Sequence, residues 1–291
     1  MNSSTSRPLV ALGPELDRPT WSWVGFNLFR ELSKYYKVKV YSWDEQPVAD
    51  VILTFKEPLP FPVQGSTPII YFPCDYYKSY PQAVEDTFLR SARVVVCHSE
   101  SLASVLRNLH SNVHIIDHDS KYVLPEIADY KETGPIAWIG YSVYLEHLKK
   151  WLHEHPIDGQ LVVLTDAPNL VSLSGNTIQS TWSPKRQQVL MKFARGALDV
   201  KGSDFGQSTK PAEKLQTFVA SGVPSACNQT ATTIVQEFRR DGFEIVDPTD
   251  TNLWFSRDYY EQTRRYAETL RSRMSLQSIG LRVKEIVDSV L

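Results

Sequence analysis

The sequence predicts an α/β protein built from two doubly wound halves, and three observations predict it. Short apolar runs alternate with helical periodicities along nearly the whole chain. The alternation breaks once, in a polar stretch between Asp117 and Gly134, and then resumes. The length of 291 residues suits two domains, each of about 120 to 170 residues.

In the first half, Leu9 to Leu12 reads as a strand, followed by a helix in which Val24, Leu28, Leu32 and Tyr35 share a face. Val38 to Trp43, Val51 to Phe55 and Ile69 to Phe72 read as strands, then Pro81 to Arg90 as a helix and Val94 to Cys97 as a strand. Ser99 suits the N-cap of a helix carrying Leu102, Val105, Leu106 and Leu109, and Val113 to Ile116 closes the set. Strands separated by helices imply parallel pairing, because parallel neighbours need crossovers.

The second half repeats the scheme. Ile136 to Ile139 and Leu161 to Leu164 read as strands around a helix bearing Leu145, Leu148, Trp151 and Leu152. Pro184 suits the first turn of a helix with Val189, Leu190 and Phe193, and Ala197 to Val200 reads as the next strand. Pro211 likewise suits a helix start, with Leu215, Phe218 and Val219 facing inward and Gly222 ending it before the strand Val223 to Ala226. At the end, Leu276, Ile279, Val283, Ile286 and Val290 have the three- and four-residue spacing of one buried helical stripe. The expected domains are 1–117 and 135–291, both Rossmann-like, with 118–134 as linker and a helical C-terminus.

Composition removes several function classes. With hydrophobic residues at 42% and charged residues at 22%, the chain reads as soluble and globular rather than disordered or membrane-spanning. A formal net charge of -2 provides no global basic field, so no nucleic-acid partner is expected. Cys74, Cys97 and Cys227 lie far apart and are odd in number, which fits a reducing cytoplasm and no metal knuckle. No signal peptide or apolar run of membrane-spanning length is expected, so any membrane contact is peripheral. Phosphate-loop, nucleophile-elbow and dinucleotide fingerprints do not occur in the sequence. His114 and His118 near Asp119, and His153 and His155 around Glu154, lack a zinc signature and read as structural or solvent-facing.

The segment from Lys210 to Pro224, KPAEKLQTFVASGVP, resembles the donor-binding segment of GT-B glycosyltransferases, where a helix ends in a small-residue, Gly, x, Pro turn before a strand. The likeness extends to Ile136–Gly140, to Gly242–Pro248 read as a late strand, to Ser99-Glu100 before a helix and to Ile115–Asp119 before the linker. It covers nearly the whole chain, and it implies that the terminal helix over Leu276 to Val290 can cross back to the first domain. The resemblance implies two Rossmann-like domains facing across a crevice, and a metal-independent transfer of a hexose-type sugar from a nucleotide-diphosphate donor to a hydroxyl. The expected partners are that nucleotide sugar and a glycan or lipid-linked acceptor; no separate cofactor is expected.

On the donor side the candidates are Gly140, Tyr141, Ser142, Trp182, Ser208, Thr209, Lys210, Glu213 and Thr217, with Lys210 expected to stabilise the leaving diphosphate. A helix N-terminus offers unsatisfied N–H groups and a positive dipole end, Lys210 adds a full charge, and Ser208 and Thr209 add hydroxyls. Lys210 and Lys214 also suit solvated surface positions. The sequence departs from the family in two places. Retaining relatives often carry glutamates eight positions apart, where this chain has Thr209 and Thr217; many place an Arg and then a Lys after the first strand, where Tyr141 and Ser142 stand.

On the acceptor side the candidates are Gly13, Asp17, Trp21, Trp23 and Tyr76, with Asp75 as a carboxylate able to bind hydroxyls or accept a proton. Aromatic faces suit sugar rings, and they suit interior packing equally. A non-catalytic module of the same fold that binds a nucleotide sugar or a partner is the alternative reading.

Overall fold

The computed structural model describes residues 7–16, 20–59, 66–119, 122–228 and 232–291. The chain divides into two compact units, one of residues 1–119 with 273–291, the other of residues 120–272.

The first unit holds a parallel sheet of six strands, β1 (Leu9–Glu15), β2 (Lys37–Ser42), β3 (Val51–Phe55), β4 (Ile69–Phe72), β5 (Val94–Cys97) and β6 (Val113–Ile115), in the order β2-β1-β3-β4-β5-β6. β3, β4 and β5 are buried at every position, as expected of a parallel sheet covered on both faces. A π-helical turn at Trp21–Gly25 leads into α1 (Phe26–Leu32). The predicted helix over 81–90 is two helices, α2 (Tyr80–Glu85) and α3 (Thr87–Ser91). Asp86 is extended and accepts from Phe88 N and Leu89 N, ending one helix while capping the next. α4 (Glu100–Leu106) is capped as expected, its Ser99 side chain accepting from Leu102 N.

The second unit holds a parallel sheet of five strands, β7 (Ile136–Ile139), β8 (Leu161–Thr165), β9 (Thr177–Thr181), β10 (Gly196–Asp199) and β11 (Ser225–Cys227), in the order β11-β10-β7-β8-β9. Its helices are α5 (Leu145–Glu154), α6 (Pro184–Phe193), α7 (Phe205–Ser208), α8 (Glu213–Ala220), α9 (Thr232–Arg239), α10 (Thr251–Trp254) and α11 (Arg257–Arg273). The late strand expected in 242–248 is reduced to a single bridge between Ala226 and Val246. β7 and β10 are neighbours from which the connections run to opposite sides, so the loops after them form the switch point where such sheets bind ligands.

Two boundaries differ from the sequence-based assignment. The final helix α12 (Leu276–Asp288) belongs to the first unit, outside the bounds 135–291 expected for the second domain and in the place the family resemblance allows for a terminal helix that crosses back. Its Ile279, Val283, Ile286 and Val287 join Val10, Leu12, Leu28 and Leu32 in one core. Burying each such side chain is worth about 1.5 to 3 kcal/mol. Gly280 allows the close approach, because a Cβ there would lie 2.7 Å from Glu31 Cβ. The segment expected to be a linker is not a tether beyond Leu124. Leu124 N donates to Ser221 Oγ at 3.1 Å, Ala128 N to Ser221 O at 2.8 Å, and Arg271 donates to the carbonyls of Leu124, Pro125 and Ala220. No helix among the described residues is long and apolar enough to cross a membrane.

Candidate functional site

The switch point of the second sheet gathers a set of lysines. Gly140 follows β7, its N–H donating to Leu164 O at 3.1 Å. A Cβ at Gly140 would fall 2.4 Å from the Trp138 ring and 2.9 Å from Lys214 Nζ, so the absent side chain is what admits the lysine. The Lys214 ammonium lies 5.4 Å from the centroid of Trp138 and 5.5 Å from that of Tyr144. Lys214 is partly buried. Burial pulls the ammonium down to about 8, Lys201 and Lys210 push the same way, and Asp199 and Glu213 oppose them.

Lys201, just past β10, is buried and pairs with buried Asp199, Nζ to Oδ2 at 3.1 Å. Asn228 fixes the lysine backbone by accepting from its N–H and donating to its carbonyl, each at 2.9 Å. Lys210 Nζ donates to Tyr144 Oη and sits 4.0 Å from that ring's centroid. Three lysines thus face two carboxylates, Asp199 and Glu213, beside the N-terminus of α8, which no side chain among the described residues caps. Such an arrangement favours an anion.

The helix start differs from the expectation. α8 begins at Glu213 with Ala212 as N-cap, so Pro211 precedes the cap and Lys210 lies in the connection. The short α7 causes this: Asp204 caps it by accepting from Gln207 N, and Lys210 N still closes onto Gln207 O at 3.4 Å. Ser208 and Thr209 donate their hydroxyls to Phe205 O at 3.1 and 2.8 Å, and Thr217 donates to Glu213 O at 2.9 Å. These are backbone-directed bonds within one helical turn, whatever else the groups contact.

The other donor candidates are dispersed around this point. Tyr141 is exposed; Ser142 is buried, and its N–H donates to Asp166 Oδ1 at 2.6 Å, which lowers the Asp166 carboxyl below its usual range. Trp182 donates Nε1–H to Gln187 Oε1 at 2.8 Å and meets Tyr122 edge-on, a packing role. Sequence reasoning passed over Lys201 and read Lys214 as suiting a solvated surface position.

In the first unit, Gly13 lies within β1 rather than in the loop after it, and its close approach is to Tyr41: a Cβ would fall 2.6 Å from Tyr41 O. Trp21 is buried in the core, edge-on to Phe55 at 6.2 Å. Asp17 and the Trp23 side chain lie outside the described residues. Asp75 pairs with Lys56 Nζ at 2.9 Å, and Tyr76 packs edge-on against Tyr77 at 5.2 Å. Among the described residues, no group of three or more metal-ligating side chains gathers.

No protein-family model and no curated protein matches the sequence. Solved structures do match. AviGT4, a glycosyltransferase involved in avilamycin A biosynthesis, superposes with a TM-score of 0.62 at 13% identity, covering 96% of each chain. A variant of the Thermobaculum terrenum O-GlcNAc transferase gives 0.57 at 11% identity, covering 98% of this chain and 68% of that one. The glycotransferase of kitacinnamycin gives 0.52 at 11% identity, covering 98% and 99%. The fold is therefore that of GT-B glycosyltransferases, with the two parallel sheets expected from the sequence.

Proposed function

We propose that the protein is a glycosyltransferase that moves a sugar from a nucleotide-diphosphate donor to a hydroxyl of a glycan or lipid-linked acceptor. The observation that carries the reading is the Lys214 ammonium, set at the switch point 5.4 Å from the centroid of Trp138 with Lys201 and Lys210 as neighbours and, among the described residues, without an ion pair of its own. Breaking the glycosidic bond places growing negative charge on the departing diphosphate. Preorganised cations and N–H dipoles stabilise that charge most strongly where water is excluded. Lys210 and Lys214 fill this role, Lys201 and Asp199 support it from beneath, and the N-terminus of α8 adds its dipole. The reading makes the transfer metal-independent, because lysines supply the positive charge; chelator-insensitive turnover is the corresponding expectation.

The alternative, a module that binds a nucleotide sugar without turnover, draws its support from Thr209 and Thr217. They stand where relatives carry carboxylates, and both hydroxyls bond to backbone carbonyls. Nucleotide release from a nucleotide sugar separates the two readings.

Calorimetric titration with nucleoside diphosphates tests the site. Lys210→Ala is expected to weaken binding roughly ten- to a hundredfold, the value of one charge-assisted contact. Lys149→Ala is the control, since Lys149 is an exposed helix charge 3.9 Å from Glu146. A nucleoside diphosphate that binds both variants and the parent equally would overturn the assignment.

A further inference from the structure

A second polar constellation lies wholly within the first unit, at the C-terminal edge of its sheet. His98 directly follows β5, and only 4% of it is exposed. Its Nδ1 lies 2.7 Å from the carbonyl of Ile116, directly after β6. A carbonyl can only accept, so Nδ1 carries the proton and Nε2 presents a lone pair. That Nε2 is buried and has no hydrogen-bond partner among the described residues, where nearly all buried polar atoms have one. The His98 side chain lines a small pocket with apolar walls from Leu28, Phe72 and Ile279. Burial, followed by the neighbouring His118 whose ring centroid is 3.9 Å away, pushes the His98 imidazole down to about 3, so the lone pair persists at neutral pH.

The surrounding groups restrict what can enter. Asp119 accepts from Asn27 Nδ2 at 2.8 Å, and Asp117 is matched by Arg273 and Arg282 at 3.1 and 3.4 Å. Both carboxylates line the pocket and, like Nε2, repel an anion. Asp117 is already balanced by guanidinium groups, Asp119 already accepts from the Asn27 amide, and the walls are apolar, so the site favours a neutral donor over a cation. A neutral group that donates a hydrogen bond meets the requirement, and the pocket has space for about one oxygen-sized group.

We propose that this pocket is a hydroxyl-binding subsite, in which His98 Nε2 accepts a hydrogen bond from an O–H of a neutral polyol or sugar. On the reading under Proposed function, that hydroxyl belongs to the acceptor.

The test is side-chain nitrogen NMR of the histidines in the full chain, with the His98 signals assigned by their loss in His98→Gln. Glycerol and methyl α-D-glucopyranoside are the hydroxyl probes; methylammonium and inorganic phosphate are the charged ones. A saturable shift of Nε2 with at least one hydroxyl probe and with neither charged probe is expected. His98→Phe, which keeps a ring but no lone pair, should bind the responding probe about tenfold more weakly, the value of one lost hydrogen bond. No shift with either hydroxyl probe overturns the proposal, as does a shift with a charged probe or a pocket holding ordered water alone in their presence. If His98→Phe does not fold, the titration of the parent decides alone. Uridine and guanosine diphosphate titrated into the same sample report separately on the lysine site. Failure there overturns the reading under Proposed function and leaves the hydroxyl pocket standing, and the reverse holds equally.

Discussion

Arg273 Nε lies 3.1 Å from Oδ2 of Asp117, a carboxylate with a side-chain exposure of 1%. Arg282 reaches the same oxygen at 3.4 Å and also donates to the carbonyl of Ile115. The end of the chain is thus tied to the loop after β6 by charge as well as by the apolar stripe of α12. Removing one partner from a buried pair leaves an uncompensated charge, typically at a cost of about 3 to 5 kcal/mol. Asp117→Ala is expected to destabilise the first unit by that order, and Arg282→Ala by about 1 kcal/mol or less because that side chain is 36% exposed. Urea denaturation monitored by fluorescence and circular dichroism checks the ranking; equal effects of the two substitutions would refute it.

Gly140 is predicted to tolerate no side chain. A Cβ would meet the Trp138 ring at 2.4 Å, below any ordinary contact, and would displace Lys214 Nζ. Gly140→Ala should therefore lower nucleoside-diphosphate affinity by about tenfold or more while far-ultraviolet circular dichroism stays unchanged. Unaltered affinity would show that the lysine does not need this space.

Periodicity made much of this architecture legible. β3, β4, β5 and β7 fall where apolar runs end at polar or Gly residues, and the α12 stripe was legible from spacing alone. β9 was not, because Thr177–Thr181 is a polar edge strand with no apolar run to announce it. α7 escaped notice because four residues cannot show a helical period, and its presence changed the surroundings of Ser208, Thr209 and Lys210. Lys214 looked like a solvated lysine since its setting depends on Trp138, Gly140 and Tyr144, which are distant in sequence. His98 gave no motif, because an unpaired nitrogen is a property of packing and not of spacing.

Thr217 separates a structural hydroxyl from a binding one. Its side chain is buried and donates to Glu213 O one turn back, a bond that adds little to helix stability. Thr217→Val keeps the branched shape, so stability should change by about 1 kcal/mol or less and nucleoside-diphosphate affinity by less than about threefold. A tenfold loss of affinity with an intact fold would assign the hydroxyl to the ligand instead.

The pH dependence of both stability and binding should report on Lys214. Burial holds its ammonium at about 8 in the folded protein, against roughly 10.4 in an unfolded chain. Below pH 8 both states hold the proton, and the cost of enclosing the charge is fully present. Between about 8 and 10.4 the folded state has lost a proton that the unfolded state keeps, so Lys214 makes stability rise with pH across that window. The charged groups facing it are Lys201, Asp199, Lys210 and Glu213. An incoming diphosphate reverses the preference by favouring the ammonium. Binding at pH 8.5 should then take up a fraction of a proton, seen as a calorimetric enthalpy that varies with the ionisation enthalpy of the buffer, and affinity should fall as pH rises through 8. Lys214→Arg keeps its charge throughout, so both the proton uptake and this slope should vanish while diphosphate binding persists. Buffer-independent enthalpy in the parent protein at pH 8.5, with the diphosphate bound, would show that Lys214 is not the group that meets it.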